Sequence, residues 1–230
     1  MNGKLSTGAV IGLAAVGVFA VVALLFGFTV ISVEEEEALT VEFDPVAYVD
    51  DNWEAVQLAI REDAVPLANL LNEIEPGADG TIATEELMPI VAALGDVATG
   101  DAHVYRVMGS GTVTDVDIES SKGSIGIDVE GYDGPIKVRA WIGTRIPSDN
   151  SAIRDATGFI EFGDFREQTE FGKVAKEINK KVVEGLEGLD KENLVGDTVD
   201  FTGAIAMRTA NMPTLVVSQL ELVPIEVVER

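Results

Sequence analysis

Residues 164–189 have the sequence DFREQTEFGKVAKEINKKVVEGLEGL, and this stretch decides the fold. Its apolar residues recur every three or four positions, as they do on one face of an amphipathic helix. These residues are Phe171, Val174, Ala175, Ile178, Val182, Leu186 and Leu189. Asp164 with Glu167 three positions later has the spacing of a capping box. The stretch therefore predicts one long helix that begins at Asp164.

Apolar residues alternate with polar ones on both sides of this helix, which is typical of half-buried strands. Three strands are predicted before it, at 103–118 with a glycine break near Gly109, at 125–129 and at 136–142. Two follow, around Val199–Ile205 and Val216–Leu222. Three strands, a helix and two strands is the order of an OB barrel. We therefore predict an α+β fold, with an OB-like five-stranded antiparallel β-barrel over residues 102–230 and its helix between strands 3 and 4.

The segment before the barrel is predicted to be acidic and helical, over residues 34–101. Asp44 followed by Pro45 is a good helix start, because aspartate caps a helix and proline suits its first turn. Apolar residues then recur at helical spacing as far as Ile60.

The amino-terminal segment, residues 1–33, is predicted to be a cytoplasmic stub and a transmembrane signal anchor. No charged residue lies between Lys4 and Glu34, and a run of more than about 18 apolar residues can span a bilayer. A cleaved signal peptide would have a shorter apolar region and an A-x-A site. Lys4 before the span and the glutamates 34–37 after it place the amino terminus in the cytoplasm and the remainder outside. The expected location is therefore the cell membrane, with a single pass.

The composition is strongly acidic, with 40 Asp and Glu against 16 Lys and Arg and a net charge of −24. Such a surface repels phosphate backbones, so nucleic acid is not an expected partner. The acidity favours a halophile, hence an archaeon, because carboxylates keep a protein hydrated in brine; the acidity of an ordinary exported domain is the other interpretation. The chain has no cysteine, so it has neither disulfides nor a lipid-carrying residue.

The candidate ligand-binding residues lie between 142 and 171, where arginines and phenylalanines are interleaved. Fixed polar groups beside aromatics suit a small-ligand or peptide site. The candidates are Arg145, Arg154, Asp155, Phe159, Asp164 and Gln168. The alternative is a loop that packs its phenylalanines inward and pairs its arginines with acids.

Two other motifs indicate little chemistry. Residues 79–87 resemble the second half of an EF-hand loop, with Gly80 and Glu86 in place, but Glu75 and Gly77 stand where aspartates are needed. His103 is the one histidine and has no cysteine that could join it at a metal. No catalytic residues, cofactor or metal site are predicted.

Several short motifs resemble a family of unknown function described as predicted periplasmic lipoproteins. They are Phe43-Asp44-Pro45, Tyr48-Val49, Trp53, Gly109-Ser110-Gly111-Thr112-Val113, Ile142-Gly143, Arg154-Asp155-Ala156, Gly158-Phe159-Ile160 and Phe162-Gly163-Asp164-Phe165, with Gln168, Glu170-Phe171 and Asn179 after them. The resemblance covers about Val41 to Leu222. Members of this family have no established activity. Their genes often lie near those of sugar-uptake ABC transporters, so the resemblance implies a role in solute import. Since this chain lacks the lipid-carrying cysteine, the transmembrane segment would replace the lipid.

These observations lead to a first functional hypothesis with two alternatives. We expect a non-enzymatic, membrane-anchored extracytoplasmic binding or accessory protein, with a sugar transporter as a possible partner. The alternatives are a carboxylate-based hydrolase that uses Asp155 and Asp164, and a calcium-stabilised structural domain.

Overall fold

The structure is a computed structural model and describes residues 43–93, 97–99, 102–147, 150–209 and 211–230. The predicted anchor, Leu5–Val33, and the glutamates 34–37 lie outside these residues. Among the residues that are described, no helix combines the length and the apolar character needed to span a bilayer.

The described part of the chain begins with a helical segment. Helix α1 (Pro45–Glu62) begins as predicted, because Asp44 Oδ1 accepts hydrogen bonds from the backbone N–H groups of Val46, at 2.9 Å, and Ala47, at 3.1 Å. The elements that follow are β1 (Val65–Pro66), α2 (Leu67–Glu73), β2 (Thr81–Ala83), α3 (Thr84–Ala93) and β3 (Val97–Thr99).

Five long strands form a closed barrel. They are β4 (Ala102–Asp117), β5 (Ser124–Val129), β6 (Lys137–Trp141), β7 (Thr198–Arg208) and β9 (Gln219–Glu229). The pairing order is β4-β5-β6-β9-β7, and β7 pairs back with β4 along its length, from Ala102↔Arg208 to Thr112↔Thr198. The predicted α+β class is therefore confirmed, and the helical elements between strands 3 and 4 of the barrel lie where they were predicted.

Two details of the predicted barrel are wrong. The barrel is not antiparallel throughout, because β6 and β9 run parallel, with Val138 opposite Leu220. Strand β9 lies between β6 and β7, and these two strands run in opposite directions. Because of this, β9 must be parallel to one of its neighbours, which is β6. The last predicted strand is also divided: β8 (Thr214–Val216) pairs with β2, and only β9 enters the barrel.

The main apolar core combines alternating strand residues with leucines from helix α2. Leu67, Leu70 and Leu71 are fully buried and belong to the same apolar cluster as Phe201 and Ile125. Burying a side chain of this size contributes about 1.5–3 kcal/mol. The short helix α2 therefore belongs to the main apolar core.

The segment between β6 and β7 holds helix α4 (Ala152–Ala156), a single 3₁₀ turn (Phe162–Asp164) and helix α5 (Gln168–Gly185). The predicted start of the long helix at Asp164 is wrong. Asp164 ends the 3₁₀ turn, where its Oδ2 accepts the N–H of Glu161 at 3.0 Å in a capping box. Helix α5 begins at Gln168, with Glu167 as an N-cap residue that makes no side-chain capping bond. The carboxylate of Asp164 therefore caps the short turn and does not cap the long helix.

Helices α1 and α5 pack side by side outside the barrel. The buried stripe of α5 includes Val174, Ile178 and Val182, as its spacing predicted, and α5 contacts α1, α4 and β9. Lys181 Nζ lies 2.7 Å from Asp50 Oδ1 and joins the two helices at the surface. Residues Asp44–Arg230 form one compact unit. The division of the chain into domains at 1–33, 34–101 and 102–230 stays a prediction.

Candidate functional site

The loop between β6 and α5 is held in place by backbone-directed hydrogen bonds. Asn150 Oδ1 accepts the N–H of Ala152 at 3.0 Å, at the start of α4. The backbone oxygen of Asn150 accepts a hydrogen bond from Asn179 Nδ2 at 2.8 Å, and Asn179 is a buried residue of α5. Helix α4 is therefore fixed against α5 at its first residue.

Arg154 and Asp155 form a buried ion pair on α4, with relative exposures of 9% and 7%. Arg154 Nε donates to Asp155 Oδ1 at 2.8 Å, and Nη2 donates to the same oxygen. Ser151 Oγ donates to Asp155 Oδ2 at 2.6 Å. Arg154 Nη1 donates to the backbone oxygen of Phe171 at 3.1 Å, and the guanidinium carbon lies 3.5 Å from the Phe171 ring centroid. Both carboxylate oxygens already accept hydrogen bonds, so the pair acts as a brace between α4 and α5.

Aromatic rings extend this brace toward α1. Phe171 lies 5.5 Å from Phe165 and 5.7 Å from Phe162, and Phe165 lies 5.4 Å from Tyr48, measured between ring centroids. Burial raises the pKa of the Tyr48 hydroxyl, and the nearby Asp164 carboxylate raises that pKa further. Edge-to-face contacts of this kind contribute about 0.5–1.5 kcal/mol beyond burial.

Among the six candidate residues, Arg154 and Asp155 contact each other directly. Arg154 and Asp155 are together in the brace. Asp164 and Gln168 are exposed, and Phe159 is 40% exposed. Arg145 lines a separate groove beside α5. The role of these residues in ligand binding stays a prediction. Phe165 packs inward and Arg154 pairs with an acid, as expected for the alternative in which the loop only packs against the protein.

A cleft of about 530 Å³ lies beside the end of β6, and none of the six candidate residues lines it. We call it the Trp141 cleft. Its lining includes Lys122, Trp141, Arg208, Met212, Gln219 and Glu221. The Trp141 Nε1 atom is buried and has no hydrogen-bond acceptor among the described residues. Because buried polar atoms are nearly always paired, this unpaired donor is an unusual feature of strand β6.

A signal for this cleft was present in the sequence. Trp141 shares the outward face of β6 with Lys137 and Arg139, opposite the buried Val138 and Ala140. A large aromatic residue on the polar face of a strand either covers a neighbouring element or lines a binding surface.

A cation site is not apparent in the described residues, where no group of three or more metal-ligating side chains occurs. The half EF-hand segment forms a turn before β2. Asp79 Oδ1 accepts hydrogen bonds from the Thr81 hydroxyl at 2.9 Å and the Thr81 N–H at 3.1 Å, which lower the pKa of Asp79. Gly80 has a φ of +76°, in the left-handed region that favours glycine.

The comparisons with known proteins identify the family and the fold. The family described as "Predicted periplasmic lipoprotein (DUF2291)" matches residues 18–227. The chain belongs to this family. Among solved structures, this DUF2291 member is similar to an OB-fold protein from Thermotoga maritima, with a TM-score of 0.58 and 20% identity over 82% of this chain and 99% of that one. At this identity the likeness shows the fold alone. A comparison with curated proteins finds no match.

Proposed function

We propose that this protein is a membrane-anchored extracytoplasmic binding or accessory domain that holds a small solute in the Trp141 cleft. A cleft of about 530 Å³ that combines Trp141 with polar side chains such as Gln219 and Glu221 carries the proposal. Ligand sites commonly combine an aromatic side chain with a few fixed polar groups in a volume of about 300–1,000 Å³. The family description and the uncharged stretch Leu5–Val33 support an exported, tethered location.

A saccharide is the ligand class that we favour. OB folds bind oligonucleotides or oligosaccharides on the face of their second and third strands, and Trp141 ends the third barrel strand. A net charge of −24 disfavours the oligonucleotide, because phosphate binding needs a cationic surface. Gln219 and Glu221 in the cleft offer the acceptors and donors that hydroxyl groups need.

A binding role is favoured over the carboxylate-hydrolase alternative by the state of Asp155. Its two oxygens accept from Arg154 and Ser151, so the carboxylate has a structural task. A general acid or base must reach the substrate proton, and Asp155 is 7% exposed.

Tryptophan fluorescence of the full chain in detergent tests the proposal, with ribose, xylose and maltose as probes. The chain has two tryptophans, so the Trp53→Phe variant reports Trp141 alone. We expect a saturable change with at least one sugar in Trp53→Phe, and no binding by calorimetry in Trp141→Leu. An absence of binding to all three sugars in the wild-type protein would overturn the saccharide assignment.

The proposed partner is a sugar transporter, and its test is separate. We expect a transporter component to co-purify with the tagged full chain from native membranes. Recovery of the chain without any transporter component would contradict this part of the proposal.

A further inference from the structure

A second groove, of about 380 Å³, lies between the loop after β6 and helix α5. We call it the Arg145 groove. Its apolar wall is formed by the buried Ile146 and the half-buried Val183. Arg145, Lys176 and Lys180 bring three cations to its rim. The Arg145 groove shares no lining residue with the Trp141 cleft, so it is a different site from the one proposed to bind a saccharide.

Two of these cations have no acidic partner within the described residues. The third, Lys180, is balanced by Glu177, whose two carboxylate oxygens lie 2.7 and 2.9 Å from Lys180 Nζ. Within the described part of the chain, no ion pair engages the Arg145 guanidinium or the Lys176 ammonium group. Arg145 is fixed through its backbone N–H, which donates to the backbone oxygen of Ser121 at 3.0 Å.

Glu184, the one acidic residue in the lining of the groove, pairs with Lys181, which does not line it. Glu184 Oε2 lies 3.7 Å from Lys181 Nζ, which also binds Asp50 at 2.7 Å. The charge of Glu184 is therefore partly balanced, and Arg145 and Lys176 remain available.

In a chain whose acids outnumber its bases by 40 to 16, the lining of this groove carries three bases and one acid. Five of the other arginines do have acidic partners: Arg61, Arg106, Arg139, Arg154 and Arg230. A net negative surface repels anions in general, so a local pair of cations beside an apolar wall selects the place where an anion can bind.

We propose that the Arg145 groove binds a small organic anion that carries a carboxylate or phosphate group on an apolar body. The Arg145 guanidinium offers a planar fork that fits either group in a bidentate manner. Lys176 adds a point charge from the facing helix. Ile146 and Val183 contact the apolar body, and a volume of about 380 Å³ limits the ligand to a small molecule.

Calorimetry with the full chain in detergent tests this, with benzoate and phenyl phosphate as anionic probes and benzyl alcohol as the neutral one. We expect binding of at least one anion and weaker or absent binding of benzyl alcohol. Arg145→Gln and Lys176→Gln should each weaken the anion by about ten-fold or more, as expected for the loss of a charge-assisted hydrogen bond. Preference for one anion then distinguishes the carboxylate from the phosphate.

Lys137→Gln is the matched control, because Lys137 is an exposed lysine on β6 that does not line the groove. It should leave the affinity unchanged, and all three variants should retain the wild-type melting temperature. Equal weakening by Lys137→Gln would indicate general charge attraction and overturn the proposal. Failure of both anions to bind would overturn it as well, with no bearing on sugar binding at the Trp141 cleft.

Discussion

Replacing Asp155 by alanine tests whether the buried ion pair is a structural brace. The variant leaves the guanidinium of Arg154, a residue that is 9% exposed, without its carboxylate. Breaking a buried pair by removing one partner costs about 3–5 kcal/mol, because an uncompensated charge stays buried. In a domain of this size each kcal/mol lowers the melting temperature by about 2–4 °C. We therefore expect a decrease of about 6–20 °C, measured by circular dichroism.

Two further variants make this prediction specific. Arg154→Met combined with Asp155→Leu removes both charges, and it should be more stable than Asp155→Ala alone, since apolar replacement of a buried pair is often neutral. Asp115→Ala is the control, because its pair with Arg139, at 2.8 Å, is much more exposed and should contribute about 0–1 kcal/mol. A melting temperature of Asp155→Ala within about 2 °C of wild type, or a double variant less stable than the single one, would contradict a structural role for the ion pair.

Two other predictions concern the barrel and helix α5. Gly203→Ala should destabilise the protein by about 1–3 kcal/mol in denaturant unfolding, because a Cβ there would overlap the carbonyl oxygen of Val223. Gly172→Ala on α5 meets no atom within 4 Å and should instead stabilise by up to about 1 kcal/mol; the same sign for both would contradict the packing. The Ser110 hydroxyl lowers the pKa of the Asp200 carboxyl, so this group stabilises the fold above its unfolded pKa and the stabilisation is lost as the pH falls through the folded pKa. Ser110→Ala should raise the Asp200 pKa in a carboxyl NMR titration, and an unchanged pKa would refute the assignment.

The element order of the barrel could be predicted because its signals are local. Alternation at Val138 and Ala140 and the stripe of Val174, Ile178 and Val182 depend only on neighbouring residues. Whether two neighbouring strands run parallel or antiparallel could not be predicted from such local signals. Alternation tells which face of a strand is buried, but it does not tell which strand lies beside it or in which direction.

The candidate sites were less predictable, because burial of charged side chains depends on tertiary contacts. The interleaved arginines and phenylalanines indicate a ligand site at Arg154 and Asp155, whereas the structure buries both residues and places Arg154 over the Phe171 ring. The Trp141 cleft depends on the chain between β7 and β9, which is distant in sequence from β6. Its one local sign was a tryptophan on a polar strand face.

The position of β9 has a consequence for the order of folding. Gln219–Glu229 lies between β6 and β7 in the closed barrel, so both neighbours keep an unpaired edge until this late strand arrives. Unpaired edges can pair with other chains. Because β4 and β7 are also far apart in sequence, few barrel contacts can form early, and slow folding is expected. The period in which this protein is most prone to aggregation therefore ends only when its last strand is in place.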